Sequence, residues 1–363
     1  MVHNEKEGRF GKGRSILCVL ISVLFLLSVV FVLIEVSPII VFAMSAITIV
    51  PLAYFMGIST EELAKRLGPG SGGLLNATFG NATELIIALF ALRAGLHEIV
   101  KASLAGSIIG NILFVLGLSM FAGGLKHKIQ RFERRAAGTS STMLVLAVVA
   151  LTIPTMATLY SSIIGGDPTQ IVDLSIWTSV LLIVVYFAGL VFSLHTHKSI
   201  FNPVGGIEEP GWGKKVAIAG LLISTVFVSV ESEFLVGAIE SSSEVLGLND
   251  LFVGVILIAL IGNAAEHGSA VVMAYKNKMD LSVQIATSSA TQIALFVAPL
   301  LVFASLLFGP PMTLAFEIFE LIAIALSVAI VNMASSDGES NWYEGAMLVV
   351  VYLIVAVGFF YHP

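Results

Sequence analysis

The sequence predicts an all-α integral membrane protein of about eleven transmembrane helices, one extra N-terminal helix plus two inverted five-helix repeats. Three observations carry this. First, the 363 residues have a mean hydropathy of +0.99 and are 57% hydrophobic and only 12% charged, about half the charge of a soluble domain. Second, apolar runs long enough to span a bilayer follow one another along the chain. Third, a stretch reading Gly80-Asn81-Ala82-Thr83-Glu84 recurs as Gly262-Asn263-Ala264-Ala265-Glu266, each copy inside such a run.

A spanning helix needs about 20 apolar residues, and by that measure the runs fall near 15–36, 38–58, 74–95, 99–123, 140–163, 171–194, 215–238, 251–274, 281–308, 312–333 and 343–361. Residues 1–14 are polar and rich in Gly, Lys and Arg, and read as a cytoplasmic tail. Residues 15–37 form the extra first helix; the run is too long for a signal peptide and another follows at once. Residues 38–197 make the first five-helix repeat, 198–213 a cytoplasmic linker carrying Glu208 and Glu209, and 214–363 the second repeat. Turns are expected at 68–73, at 126–135, at 165–168, at 195–213, at 309–311 and at 337–341, where Gly, Pro or charge interrupts the pattern.

Orientation follows from Lys and Arg in the short loops. With the N-terminus cytoplasmic and the C-terminus outside, sixteen of the eighteen lie inside; Arg93 and Lys101 are the exceptions. Missing or inventing one span would collapse that bias. The basic segment 126–135 reads as a topology anchor rather than a nucleic-acid patch. Each group of five spans is odd, so the second enters from the opposite side and the duplication is inverted. The single Cys18 rules out a disulfide framework within the chain and a cysteine-based zinc cluster.

The chemistry concentrates in the repeated stretch. A charge at bilayer centre costs about 2.5–3.5 kcal/mol on insertion scales, so Glu84 and Glu266 are expensive to keep. Residues i and i+3 share a helix face, which places Asn81 beside Glu84 and Asn263 beside Glu266. Gly80 and Gly262 can loosen the helix or admit a neighbour, freeing backbone carbonyls. The following span of each repeat aligns Ser107 with Ser288 and Asn111 with Gln292, as supporting groups. Carboxylate, amide and carbonyl oxygens form a hard ligand set suited to calcium, manganese or magnesium. Two ionised glutamates facing each other in low dielectric are costly, so protons occupy the site when metal leaves. Competition of that kind is the minimal physics of antiport. Taken singly, Asn81, Asn263, Ser107 or Ser288 reads equally as interhelical glue, worth about 0.6 kcal/mol; the joint recurrence of both glutamates argues otherwise. His267, next to Glu266, is a candidate to tune or relay a proton. Glu61 and Glu240 are candidate vestibule residues, with solvated helix ends as the equal alternative. Glu231, Glu233 and Glu244 are read along the outer part of the seventh span and its loop, and Glu317 and Glu320 near the outer end of the tenth.

The Gly80–Ile86 and Gly262–His267 stretches resemble the two signature repeats of the cation/proton exchangers, the calcium/proton branch of the calcium/cation antiporter superfamily, and the resemblance covers nearly the whole chain. It implies a secondary active transporter moving Ca2+ out of the cytoplasm in exchange for H+, with Glu84 and Glu266 as shared carboxylates, Asn81 and Asn263 as supporting amides, and Asn111 and Gln292 facing the site. Sodium/calcium exchangers of the same architecture tend to carry further acidic and hydroxyl ligands where this chain has Asn111 and Gln292, which favours the proton branch. The short linker resembles prokaryotic forms and points to a cell-membrane protein. The expected partners are Ca2+, protons and the lipid bilayer, with no cofactor and no nucleic acid. A sodium- or potassium-coupled calcium exchanger remains the nearest alternative and a passive cation channel a more distant one. An intramembrane metallohydrolase is disfavoured, because no His-Glu-x-x-His spacing occurs.

Overall fold

The computed structural model describes residues 2–165, 167–197, 200 and 210–362; the side chains of 2–14, 68–70 and 77 lie outside the description. Twelve helices and one small ribbon make up the described chain. They are α1 (Val2–Leu33), α2 (Pro38–Phe79), α3 (Ala82–Arg93), α4 (His97–His127), β1 (Ile129–Arg131), α5 (Arg134–Ile164), α6 (Pro168–Thr196), α7 (Lys214–Leu246), α8 (Asp250–Gly262), α9 (Ala264–Tyr275), α10 (Met279–Ser305), α11 (Ile318–Ala334), β2 (Glu339–Asn341) and α12 (Trp342–Phe360). By length and apolarity, eight of these helices can cross a membrane and the bent pair α8–α9 supplies a ninth crossing. The remaining predicted spans are present in shorter pieces. The 74–95 run is divided between the end of α2 and α3, and α11 is a 17-residue apolar helix.

Several expectations are corrected. The 68–73 segment is not a turn but part of the continuous α2, which packs against α7. Tertiary packing here overrides the Gly/Pro signal. The segments expected as loops at 126–135 and 337–341 meet as an antiparallel two-stranded ribbon with Gln130 opposite Ser340. The buried Gln130 donates to the Ala274 carbonyl at 2.9 Å, so the ribbon is pinned to the end of α9. The tenth span starts at Ile318 rather than 312, because 312–316 is a largely buried segment of irregular backbone. Its backbone amides are met by hydroxyls: Met312 by Ser305 at 2.8 Å, Leu314 by Ser175 at 3.1 Å and Phe316 by Thr155 at 3.0 Å. Irregular backbone survives among apolar helices only when its polar groups are satisfied in this way. Most of the linker, including Glu208 and Glu209, lies outside the described residues. Its end is fixed, with the Trp212 amide donating to Glu62 at 2.8 Å and its carbonyl accepting from Arg66. Asp167 caps α6 by accepting from the Thr169 amide at 2.9 Å, and that bond holds its carboxyl below the usual carboxylate range.

Lys101, one of the two exceptions to the charge bias, is buried in structural work. It pairs with Glu98 at 2.8 Å and donates to the Ala315 carbonyl at 2.9 Å, where the loop before α11 docks on the start of α4. At the corresponding place in the other repeat, Asp280 at the start of α10 accepts from the Glu133 amide before α5. The two repeats thus brace each other at matching points.

α4 and α8 cross with their backbones in near contact. A Cβ added at Gly106 would land on the Val255 carbonyl, and one at Gly254 would meet Ala102 and the Ile99 carbonyl. Gly106→Ala should therefore cost about 1–3 kcal/mol or more, as overpacking does, and appear as a lower Tm in detergent. Gly237→Ala, with open space around it, should be neutral or slightly stabilising. Equal Tm values for the two variants would contradict this close crossing.

Candidate cation-binding site

Both copies of the repeated stretch break a helix at the asparagine. Asn81 has φ −96°, ψ 22° between α2 and α3, and Asn263 has φ −97°, ψ 3° between α8 and α9. The second break bends the helix pair by 63°. Both asparagines occupy the N-cap position, where the side chain ordinarily bonds its own helix. Neither does so. Each reaches into the other half of the chain instead.

The result is one connected, buried network. Asn81 donates to Gln292 at 2.6 Å and accepts from Ser289 at 3.1 Å. Asn263 donates to Glu84 and to Ser107, the latter at 2.8 Å, and to the Ala259 carbonyl at 2.8 Å. Ser107 in turn donates to Glu84. Asn111 donates to Asn263 at 3.0 Å and to Ser289 at 2.9 Å. Ser289 also lies in hydrogen-bonding range of the Glu266 carboxyl.

The glycines seat the glutamates reciprocally. A Cβ on Gly262 would lie 2.8 Å from Glu84 Cγ, and one on Gly80 would lie 3.7 Å from Glu266 Oε1. Each carboxylate therefore rests on the glycine of the opposite motif. Three shielded oxygens of this network have no hydrogen-bond partner: Glu84 Oε2, Glu266 Oε2 and Asn111 Oδ1. Buried polar atoms in native proteins are nearly always paired, so these three oxygens leave the network with acceptor capacity unused. Among the described residues no group of three or more Asp, Glu, His or Cys converges, so any cation here would draw on two carboxylates and neutral oxygens.

π-helical turns flank the network at Gly110–Val115 in α4, Val253–Ile258 in α8 and Ile293–Val297 in α10. Such turns re-aim side chains and recur at functional sites.

Of the residues singled out from sequence, Glu84, Asn81, Asn263, Ser107, Asn111 and Gln292 are joined by hydrogen bonds, with Glu266 beside Ser289 and both glycines against the opposite glutamates. Ser288 is corrected: it is exposed, and Ser289 takes its place. Ser107 follows Glu84 by 23 residues, and Ser289 follows Glu266 by the same interval, so counting from the glutamates rather than aligning the amides finds it. His267 is not bonded into the network. It lines a narrow crevice with Ser107, Asn263 and Tyr352, and the edge of its ring meets Phe114 at 6.1 Å. Glu61 is ion-paired with Lys65 at 2.8 Å and Glu240 is exposed; neither joins the network. Glu317 and Glu320 form a capping box at the start of α11. Glu231, read along the outer part of the seventh span, is fully buried in the middle of α7.

Comparison with known proteins agrees with this architecture. The model of the sodium/calcium exchanger protein family matches residues 37–195 and again 216–361, one match per half. A Ca2+/H+ antiporter of Synechocystis sp. is 49% identical over 342 residues, covering 89% of this chain and 91% of that protein. The Ca2+/H+ antiporter ChaA of Bacillus subtilis is 46% identical over 340 residues, covering 92% and 95%. Among solved structures, native YfkE superposes with a TM-score of 0.82 at 43% identity, covering 95% of this chain and 99% of that one. The H+/Ca2+ exchanger CAX shares the fold, with a TM-score of 0.70 at 14% identity over 96% of this chain and 92% of that one. The chain belongs to the sodium/calcium exchanger family, on its calcium/proton antiporter branch.

Proposed function

We propose that this chain moves Ca2+ out of the cytoplasm in exchange for H+, with Glu84 and Glu266 as the carboxylates that the two cargoes share. The observation that carries the reading is the set of unpartnered oxygens on Glu84, Glu266 and Asn111 within a network drawn from both halves. Calcium accepts 6 to 8 oxygens in irregular geometry. Carbonyls at the broken ends of α2 and α8 complete the set that side chains begin.

Calcium enters between the two glutamates from the cytoplasmic side. Outer helices shift around the central α3, α4, α9 and α10 to open the site outward. Protons from outside then neutralise the carboxylates and release calcium, and they return inward on the same groups. An empty, doubly ionised site is too costly to carry across the low-dielectric interior, and this keeps exchange coupled. At two protons per calcium, one pH unit offsets about a hundredfold calcium gradient, since each decade is worth about 1.4 kcal/mol. We place the N-terminus in the cytoplasm and the C-terminus outside a prokaryotic cell membrane; the Lys and Arg bias supports this orientation.

The test is calcium uptake into inside-out proteoliposomes with an acidic lumen and no sodium or potassium gradient, with lumenal pH followed in parallel. Calcium entry matched by lumenal alkalinisation is expected. Entry only when sodium is supplied would move the chain to a sodium-coupled exchanger, and entry with no counter-ion would make it a channel. A second expectation is competition: acid weakens calcium binding, by up to about a hundredfold per pH unit where two protons must leave. Calcium titrations across a pH series check it, and a flat affinity would contradict shared protonation.

A further inference from the structure

Glu231 stands apart from the exchange site, in the seam where α1 meets α2 and α7. It is 0% exposed. Ser28 of α1 donates to its Oε2 at 2.8 Å, and Ser45 of α2 approaches the same carboxyl. Its Oε1 has no partner, and neither has the Ser45 hydroxyl. Around this polar spot the seam is apolar. Ile21, Leu52, Met56, Leu221 and Val228 form one cluster, and Phe25 stacks on Phe227 at 4.2 Å. Ile21, Phe25 and Ser28 lie on one face of α1, so Ser28 is the polar end of its docking stripe.

The charged and titratable groups of the surrounding elements are committed or distant. On α1 between Ser15 and Leu33 the titratable side chain is Cys18, which is exposed. On α2, Glu61, Glu62, Lys65 and Arg66 begin about 24 Å along the helix from Ser45 at 1.5 Å per residue, and Tyr54 is exposed. On α3, Glu84 is bonded to Ser107 and Asn263, and Arg93 is exposed at the far end. On α7 itself, Glu233, Glu240 and Glu244 are exposed, as are Lys214 and Lys215 at its start. The groups acting on the Glu231 carboxyl are the hydroxyls of Ser28 and Ser45. An ionised carboxylate with only the hydroxyls of Ser28 and Ser45 to hold it in an apolar seam, and no cation beside it among the described residues, is a costly arrangement. A proton removes that cost and gives Oε1 a donor for the Ser45 oxygen.

We infer that Glu231 is a third proton-binding carboxyl, separate from the exchange pair, and that its proton fastens α1 to α2 and α7. A single carboxylate with two hydroxyls offers too few oxygens for a divalent ion. Calcium therefore does not displace this proton, in contrast to those on Glu84 and Glu266. Losing it places a charge in the seam and loosens α1.

The test is infrared difference spectroscopy of the full reconstituted chain at neutral pH under saturating Ca2+. A protonated-carboxyl C=O band present in the wild type and missing in Glu231→Gln is expected. Ser28→Ala, which removes the donor to Oε2 and little else, should shift that band while leaving exchange intact. Wild-type Tm should fall as pH rises above about 4.3, where an unfolded glutamate ionises, until the Glu231 proton is lost, and the fall should be smaller in Glu231→Gln, whose neutral amide cannot ionise. Identical wild-type and Glu231→Gln spectra, or a band that Ser28→Ala does not move, would overturn the assignment. Because the band is read as a difference at Glu231 alone, it stands or falls independently of whether the central pair carries calcium and protons.

Discussion

Glu84→Gln and Glu266→Gln should each abolish exchange while leaving the protein folded. Glutamine preserves shape and an acceptor oxygen, so Ser107 and Asn263 keep their bonds at position 84. The charge is lost, together with the capacity to carry a proton. Removing one partner of a buried charge interaction costs about 2–5 kcal/mol, which is at least about thirtyfold in affinity. Loss of a proton carrier from a two-carboxyl site also breaks the return half of the cycle, so turnover should fall below detection rather than merely slow. Isotopic calcium uptake checks this, with monodispersity in detergent as the control for folding. A folded variant that exchanges normally would remove Glu84 or Glu266 from the site.

Gly262→Ala is expected to impair calcium binding by at least about tenfold, the equivalent of 1.4 kcal/mol, although it changes no ligand. The added Cβ would lie 2.8 Å from Glu84 Cγ and 3.6 Å from its Cα. Glu84 must move, and it is tied to both Ser107 and Asn263, so the move breaks bonds that set the carboxylate's position. Gly80→Ala is the comparison. Its Cβ meets Glu266 Oε1 at an ordinary 3.7 Å and crowds the Asn76 carbonyl at 2.8 Å, so the effect on calcium affinity should be smaller and the effect on stability comparable. Calcium titration and Tm measurements on both variants separate these effects. Wild-type affinity in Gly262→Ala would mean that the glycine is not the seat of Glu84.

The sequence carried much of this site because its cost is visible there. Acidic residues inside apolar runs, repeated with the same neighbours, point to one place in the fold. Hydrophobic runs likewise located nearly every span. What escaped were features in which apolarity and helicity part company. Residues 312–316 are as apolar as a helix, yet their backbone is irregular, because the hydroxyls of Ser305, Ser175 and Thr155 accept from the amides of Met312, Leu314 and Phe316. The 68–73 stretch carries every mark of a turn and is helical, because α7 lies against α2. Ser289 was hidden by its neighbour Ser288, since two adjacent serines differ only in the face they present. Glu231 looked like one acid among several on α7, and only the docking of α1 sets it apart.

The reciprocal seating of each glutamate on the opposite glycine has a consequence for how such a chain could arise. Each half carries both the knob and the hole, Glu84 with Gly80 and Glu266 with Gly262. An interface in which one motif fits its own copy is isologous, the geometry of a twofold homodimer. A half-length ancestor with this motif would be self-complementary to a second copy inserted upside down, provided it entered the bilayer in both orientations. Fusion would then fix the partner and the stoichiometry, and free the halves to diverge, as Asn111 and Ile293, each 27 residues after its glutamate, have.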